Sequence, residues 1–377
     1  MIKNNITFLD IKKYLKQKGF TISKNNNNDY LKTNGLDGLL KTFVSSLIII
    51  FVFFVMPIIT EFINEKTILS KDFENNSKNN FKKILNDKNF NKSSKVDKEI
   101  IEKYVFDDVF NFDDLPTDTV RLSASTIEQL FKDTNYNLKD VREKKLVKPV
   151  SLSLLPEEMI MIENTKKRKE LFIQIILPLV IKENNYIKSD RKKLFKILNK
   201  SKNTSKEKKW LNQKFKQYGV VNKDLSTLKV RIDEIPTSMA IAQAAKETGW
   251  GTSRFAQEGN ALFGQWTWSG EGIKPAGAED NTTHKVMKFK VLQASVKAYH
   301  RNLNTHSSYR KFRSARAELR DKGKALDSLI LSEYLDKYAA TGKEYIKILQ
   351  QIIKQNKLTD FDDVKLLPSS IELESLI

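Results

Sequence analysis

Residues 235–266 read IPTSMAIAQAAKETGWGTSRFAQEGNALFGQW, a helix followed by tight turns. Pro236 falls near the first helical turn and Gly249 just past the last, the usual asymmetry of helix ends. The interior is mainly Ala, Ile and Met, small enough to be packed closely on several sides. Glu247 sits in the last turn, where a carboxylate faces the negative end of the helix dipole. With Trp250 nearby and with burial, that position favours the protonated acid. A partly exposed Glu247 paired with Lys246 or Arg254 is equally compatible with the spacing.

The next residues change character. Seven of the 13 glycines lie between Gly249 and Gly277, and three of the four tryptophans, Trp250, Trp266 and Trp268, share that window. Clustered glycine means tight turns and close backbone approach. Clustered tryptophan means either a small core beneath loops or flat faces on which a sugar can stack. A carboxyl with a raised pKa is what a general acid for glycoside cleavage requires.

The wider chain bounds the possibilities. Its 377 residues leave room for one or two domains plus extensions, and 66 Lys+Arg against 46 Asp+Glu give a formal charge of +20. That charge suits a polyanionic partner (nucleic acid, anionic lipid or an acidic wall polymer), or simply a chain-wide bias toward Lys and Asn. Cysteine is absent, which excludes disulfides, thiolate metal sites and Cys nucleophiles. His284, His300 and His306 show no metal-ligand spacing, so packing or surface roles are expected for them and neither a metal nor a cofactor is expected.

Residues 43–59 read FVSSLIIIFVFFVMPII, an uncharged run near the lower length limit for a membrane helix. It starts too far from the N-terminus, and lacks a small-x-small site, for a cleaved signal. Seven lysines precede it, from Lys12 to Lys41, and Glu61 and Glu65 follow, which predicts a single-pass anchor with its N-terminus in the cytoplasm. Expected units are then a Lys/Asn-rich segment (1–38), a transmembrane anchor (39–60), a tether and unassigned region (61–144), a catalytic domain (145–360) and a tail (361–377). The periodicity predicts helices over 163–185, 191–198 and 207–218. The alternation in Lys285–Val291 predicts a hairpin strand.

The run from Ile235 to Trp266 closely resembles the glucosaminidase domain of glycoside hydrolase family 73, and more narrowly its bacterial Bax-type members. Ala-Gln-Ala-Ala-x-Glu-x-Gly-Trp-Gly-x-Ser carries the catalytic Glu, here Glu247, and Asn260, Leu262, Phe263 and Gly264 match the Asn-x-Leu-Phe-Gly element. Ala261 stands where an Asn is usual. Matches continue through Ser295–Tyr299, Arg301–His306 and Tyr334–Tyr345, which makes Tyr338 the expected active-site tyrosine. The resemblance implies a mainly α, lysozyme-like domain with a small β-hairpin lobe and a cleft between them. It also implies a hydrolase of the β-1,4 bond on the reducing side of N-acetylglucosamine in peptidoglycan, acting outside the cytoplasmic membrane. Trp250, Asn260, Phe263, Gly264, Trp266 and Tyr338 would bind the substrate, and Glu279 or Asp280 on the lobe would be the second carboxylate, with Glu271 a further acid there. The substrate's acetamido group can replace that carboxylate. A lytic transglycosylase on the same fold and a non-catalytic wall-binding protein are the rival readings. Nucleic acid is not an expected partner.

Overall fold

The computed structural model describes residues 105–106, 109, 119–267, 272–274 and 285–368, with the backbone of 21–25 and 28–32. The chain forms two units, 1–76 and 77–377. In the first, strands β1 (Thr21–Asn25) and β2 (Asn28–Lys32) pair antiparallel, with Thr21 opposite Lys32. The sequence reading gave that stretch no element. The expected anchor over 39–60, Trp268, Glu271, Glu279, Asp280 and His284 lie outside the described residues. No helix among the described residues is long and apolar enough to cross a membrane.

The second unit is mainly helical. Helices α1 (Ala124–Asp133) and α2 (Leu138–Lys144) and the short strand β3 (Leu146–Val147) lead to the long helix α3 (Thr165–Leu198). Asn164 caps α3 by accepting from the Lys167 N–H. The sequence predicted two helices here, over 163–185 and 191–198. They are one, because no breaker separates them and Ile187, Leu194 and Ile197 carry the buried face onward.

Pro178 sits inside α3 and has no N–H, so the carbonyl of Gln174 loses its helical partner. The Tyr136 hydroxyl supplies the missing donor at 2.8 Å, and Gln174 Nε2 donates back to the Tyr136 carbonyl at 2.9 Å. This exchange docks the loop between α1 and α2 onto α3. The packed body is therefore wider than the expected 145–360 span. Ile127, Phe131, Tyr136, Leu138 and Val141 before it, and Phe361 and Val364 after it, belong to the same core.

Helix α4 (Ser205–Gln217) starts with a capping box between Thr204 and Glu207, and α5 (Leu225–Arg231) follows. These two helices and the far half of α3 enclose a small second core of Ile187, Leu194, Phe215, Tyr218, Val220, Leu228 and Ile232. Helix α6 (Thr237–Thr248) is the central helix of the main core, packed by α3 and by segments described below. Its Met239 and Ile241 are fully buried, worth about 1.5–3 kcal/mol each. Its alanines let neighbours approach from several sides; larger residues there would overpack at a cost of about 1–3 kcal/mol.

After α7 (Arg254–Gly259) comes the lobe. Strand β6 (Lys285–Met287) is the middle of a three-stranded antiparallel sheet between β4 (Trp266–Thr267) and β5 (Gly272–Ile273). The expected strand over Lys285–Val291 is thus shorter, ending at Met287, although Phe289 and Val291 remain buried beyond it. Helices α8 (Leu292–Thr305), α9 (Arg310–Asp321), α10 (Ser328–Ser332) and α11 (Lys343–Gln355) complete the body. A 3₁₀ turn (Leu358–Phe361) and strand β7 (Lys365–Leu366), parallel to β3, close it.

The linker into α6 is held by charge. Asp233, buried, meets Arg320 at 3.0 Å, Arg316 at 3.8 Å and Arg191 at 3.9 Å. Arg316 is fully buried and also donates to the carbonyls of Val230, Asp233 and Glu234 and to Asn304 Oδ1. Burial opposes the Asp233 charge, yet the three guanidiniums outweigh it and hold its carboxyl down at about 2. Glu234 pairs with Arg320 at 2.6 Å and Lys188 at 2.7 Å. Pro236 offers no side-chain cap to α6, and Asp362 takes that role from across the chain, accepting from the Ser238 N–H at 2.8 Å and the Ser238 hydroxyl at 2.7 Å.

Candidate active site

Glu247 lies in the last turn of α6, as the sequence predicted. The helix ends because Gly249 adopts a left-handed conformation (φ 56°, ψ 42°), and its N–H and that of Trp250 both return to the Ala245 carbonyl. Three successive residues, Gly249, Trp250 and Gly251, have positive φ. For Trp250 that conformation costs about 1–2 kcal/mol. Glu247, just before this turn, is half-buried.

Phenols face that carboxyl. Tyr345, buried on α11, hydrogen-bonds to Glu247, and Tyr338 and Tyr309 lie close enough to feel its charge. Tyr338 stacks on Tyr345 with centroids 5.5 Å apart, and Tyr309 leans on Tyr338 at 5.9 Å. Burial pushes all three phenols up, Tyr309 to about 12, so they are neutral at ordinary pH. Burial raises the Glu247 pKa as well, opposed by the Tyr345 hydrogen bond and by Lys246. The acid sits among neutral phenols, with burial outweighing Tyr345 and Lys246, which keeps a proton on it to higher pH than on an exposed Glu.

Gly264 forms the opposite wall. Its φ is +60°, and a Cβ there would stand 3.3 Å from Glu247 Oε2. Glycine is required both by the backbone and by the acid it touches. Next to it, Phe263 is buried and stacks on Tyr299 at 3.9 Å. The Tyr338 hydroxyl donates to the Phe263 carbonyl at 2.9 Å, tying the two walls together.

Of the residues singled out in the sequence, Glu247, Gly264 and Tyr338 come together. Phe263 and Asn260 stand behind them. Asn260 is buried and donates Nδ2 to the carbonyls of Phe289 (2.9 Å) and Lys290 (3.3 Å), so its amide fixes the lobe to the end of α7. Trp250 packs against Phe172 of α3 at 5.8 Å and under the Lys169 ammonium at 4.9 Å. Trp266 is exposed on β4. Ala261 is buried. His300 is a core residue, its ring bonded to Val296 O and Asn184 Oδ1, and burial lowers its pKa to about 4. No cluster of His, Cys, Asp or Glu suited to a metal occurs among the described residues.

The sequence reading gave no role to Tyr345, Tyr309, Tyr299 or Gln243. One signal was available: Gln243 is four residues before Glu247, which puts both on one helix face. The tyrosines come from three separate segments and meet only in the fold.

Comparison with known proteins places the chain in a family. Residues 227–358, which span the acid and its tyrosine wall, match the family described as mannosyl-glycoprotein endo-beta-N-acetylglucosaminidase, or glucosaminidase. Protein bax of Escherichia coli (strain K12) is 32% identical over 196 residues, covering 50% of this chain and 70% of that one. The catalytic domain of the autolysin Auto from Listeria monocytogenes is 20% identical over 46% of this chain and 97% of its own, with a TM-score of 0.27 that carries no structural weight. With the family's segment on the acid and this identity over more than two thirds of a relative, the chain belongs to the glucosaminidase family of glycoside hydrolases.

Proposed function

We propose that this protein cleaves the glycan strands of peptidoglycan, at the β-1,4 bond on the reducing side of N-acetylglucosamine, with Glu247 as general acid. The observation that carries the reading is the protonated-favouring carboxyl of Glu247, half-buried between neutral phenols and the bare backbone of Gly264. Such a carboxyl gives its proton to the glycosidic oxygen as the bond to the anomeric carbon breaks. Water adds to that carbon, and the proton it releases restores the system. Stabilisation of the positive charge at the anomeric carbon falls to Glu279 or Asp280, in the chain between β5 and β6, or to the substrate's own acetamido group. Exposed Trp266 on the lobe offers a flat face to a sugar. The uncharged run at 43–59 anchors the enzyme in the cytoplasmic membrane with the catalytic unit outside, facing its substrate.

The test is a digest of purified peptidoglycan by the wild type and by Glu247→Gln, with fragments read by mass spectrometry. Fragments with reducing-end N-acetylglucosamine that vanish in the variant support the reading. Anhydro products, lighter by one water, would reassign the protein to the lytic transglycosylases. No fragments from folded protein would leave a wall-binding role.

A further inference from the structure

Behind Tyr345 the hydrogen bonds form a chain that leads away from the cleft. Gln243 Nε2 donates to the Tyr345 hydroxyl at 3.0 Å. The Tyr299 hydroxyl donates to Gln243 Oε1 at 2.6 Å. Gln243 and Tyr299 are fully buried, and neither has a role in the chemistry proposed above. We propose that Gln243 and Tyr299 are positioning residues that act through Tyr345, fixing the direction of its phenolic proton toward Glu247.

The reasoning is one of donors and acceptors. An amide has one end that gives and one that takes, and nothing in its shape distinguishes them. Tyr299, by donating, claims the oxygen end of Gln243. The nitrogen end must then point at Tyr345, whose oxygen accepts it. With a lone pair so occupied, the Tyr345 proton is left for Glu247. One carboxyl oxygen takes that bond, and the acidic proton stands on the other. The order Tyr299, Gln243, Tyr345, Glu247 sends donation in a single direction into the site, and buried networks of this kind are strengthened by low local dielectric. Stacking of Tyr299 on Phe263, next to Gly264, locks the first member.

If Tyr299 loses its hydroxyl, the amide is free to turn. Its oxygen then faces Tyr345, which donates to the amide and no longer to Glu247. Glu247 loses its donor although it and Tyr345 are both intact. The other groups acting on Glu247 stay as they are: Tyr338 and Tyr309 beside it and Lys246 on its own helix, while Lys169 of α3 lies over Trp250. Helix α10 presents no titratable side chain, and Asp362 sits at the opposite end of α6 on Ser238.

The inference rests on Glu247 being the acid, and the experiment separates the two. The pH dependence of the initial rate of fragment release from peptidoglycan is measured for wild type, Tyr345→Phe, Tyr299→Phe and the double variant. Loss of a donor to a carboxylate lets the acid keep its proton longer. The alkaline limb should therefore move to higher pH in Tyr345→Phe by about half a unit or more, the scale of one hydrogen bond to a charged group. Tyr299→Phe should move it the same way, and the double variant no further than Tyr345→Phe alone. Gln243→Met keeps the volume but leaves Tyr345 no amide oxygen to donate to, so its limb should stay at the wild-type position, which separates a turned amide from a mere packing defect. An unmoved limb in folded Tyr299→Phe, a limb moved as far in Gln243→Met, or additive shifts in the double variant would overturn the relay while leaving Glu247 in place. Full activity in Glu247→Gln would instead remove the reading on which it rests. Infrared difference titration of the carboxyl stretch absent in Glu247→Gln gives the same shift without turnover.

Discussion

At its N-terminus α6 meets full charges from two other helices and from the C-terminal segment, whereas at its C-terminus Glu247 meets phenols and bare backbone. The first end is compensated: Asp233 and Glu234 against Arg191, Arg316, Arg320 and Lys188, with Asp362 on the free N–H of Ser238. The second is left undercompensated, and its acid holds its proton in consequence. One helix thus joins an end where buried charges are paired to an end where a carboxyl is left among neutral groups, the end proposed above to carry the chemistry. Buried ion pairs are weak evidence for net stability but costly to break. Withheld compensation costs stability and gives reactivity.

The contrast can be broken most directly at the two carboxyls. Glu247→Gln should lower the rate of peptidoglycan cleavage by about 10²–10⁴-fold, the usual worth of general acid catalysis, with a melting temperature equal to or above the wild type. A large loss of stability there would mean that Glu247 serves the fold. Asp233→Asn should do the reverse, lowering the urea midpoint by an amount corresponding to about 3–5 kcal/mol, with fragment release per folded molecule unchanged. A midpoint near wild type would show that the arginines reach solvent or another acceptor at little cost.

A smaller effect is expected at Gly264. Gly264→Ala places a methyl on a left-handed backbone and 3.3 Å from Glu247 Oε2. The backbone strain should cost about 1–2 kcal/mol, seen in thermal unfolding. The initial rate should fall further than that loss explains, because the methyl crowds the acid. Equal activity would place the reacting oxygen elsewhere.

The smallest and most diagnostic differences concern pH. The folded pKa of Asp362 is raised to about 6, burial outweighing the Ser238 hydrogen bonds, so its stabilising contribution is full below the unfolded value and is lost as pH rises through about 6. Asp233, held at about 2, contributes above its unfolded value and loses that only as pH falls toward 2. Asp362→Asn should flatten the decline in stability between about pH 4 and 6, while Asp233→Asn should remove part of the acid-side decline. Identical pH profiles for the two variants would contradict the assigned directions.

Much of this was legible in the chain. The α6 boundaries followed from Pro236 and Gly249, and the position of Glu247 against the helix dipole followed from them. The strand starting at Lys285 was an equally local signal. Long-range partners were not. Nothing near Pro178 announces that Tyr136 will supply its missing donor, and so the body looked as if it began at 145. Nothing near Pro236 announces Asp362. The tyrosine wall is assembled from Tyr299, Tyr309, Tyr338 and Tyr345, of which only Tyr338 was singled out, through the resemblance; the other three sit in helical turns that equally well explain an aromatic residue as core. The Gly- and Trp-rich window left Trp250 open as core or sugar platform, and only the family resemblance made it a substrate contact. In the fold it is half-buried, edge-on to Phe172 and under Lys169.

The cap that Asp362 gives to α6 carries a further consequence, for the order of events during synthesis. Helix α6 and its acid leave the ribosome long before Asp362, the 3₁₀ turn and β7 do. Until those last segments emerge, Ser238 has no acceptor, Tyr345 is missing or undocked, and β3 has no strand to pair with. A nascent or truncated chain that stops short of this point holds Glu247 without the framework that sets its proton. The pocket around Glu247 is in this sense completed by segments that follow it by more than a hundred residues in the chain.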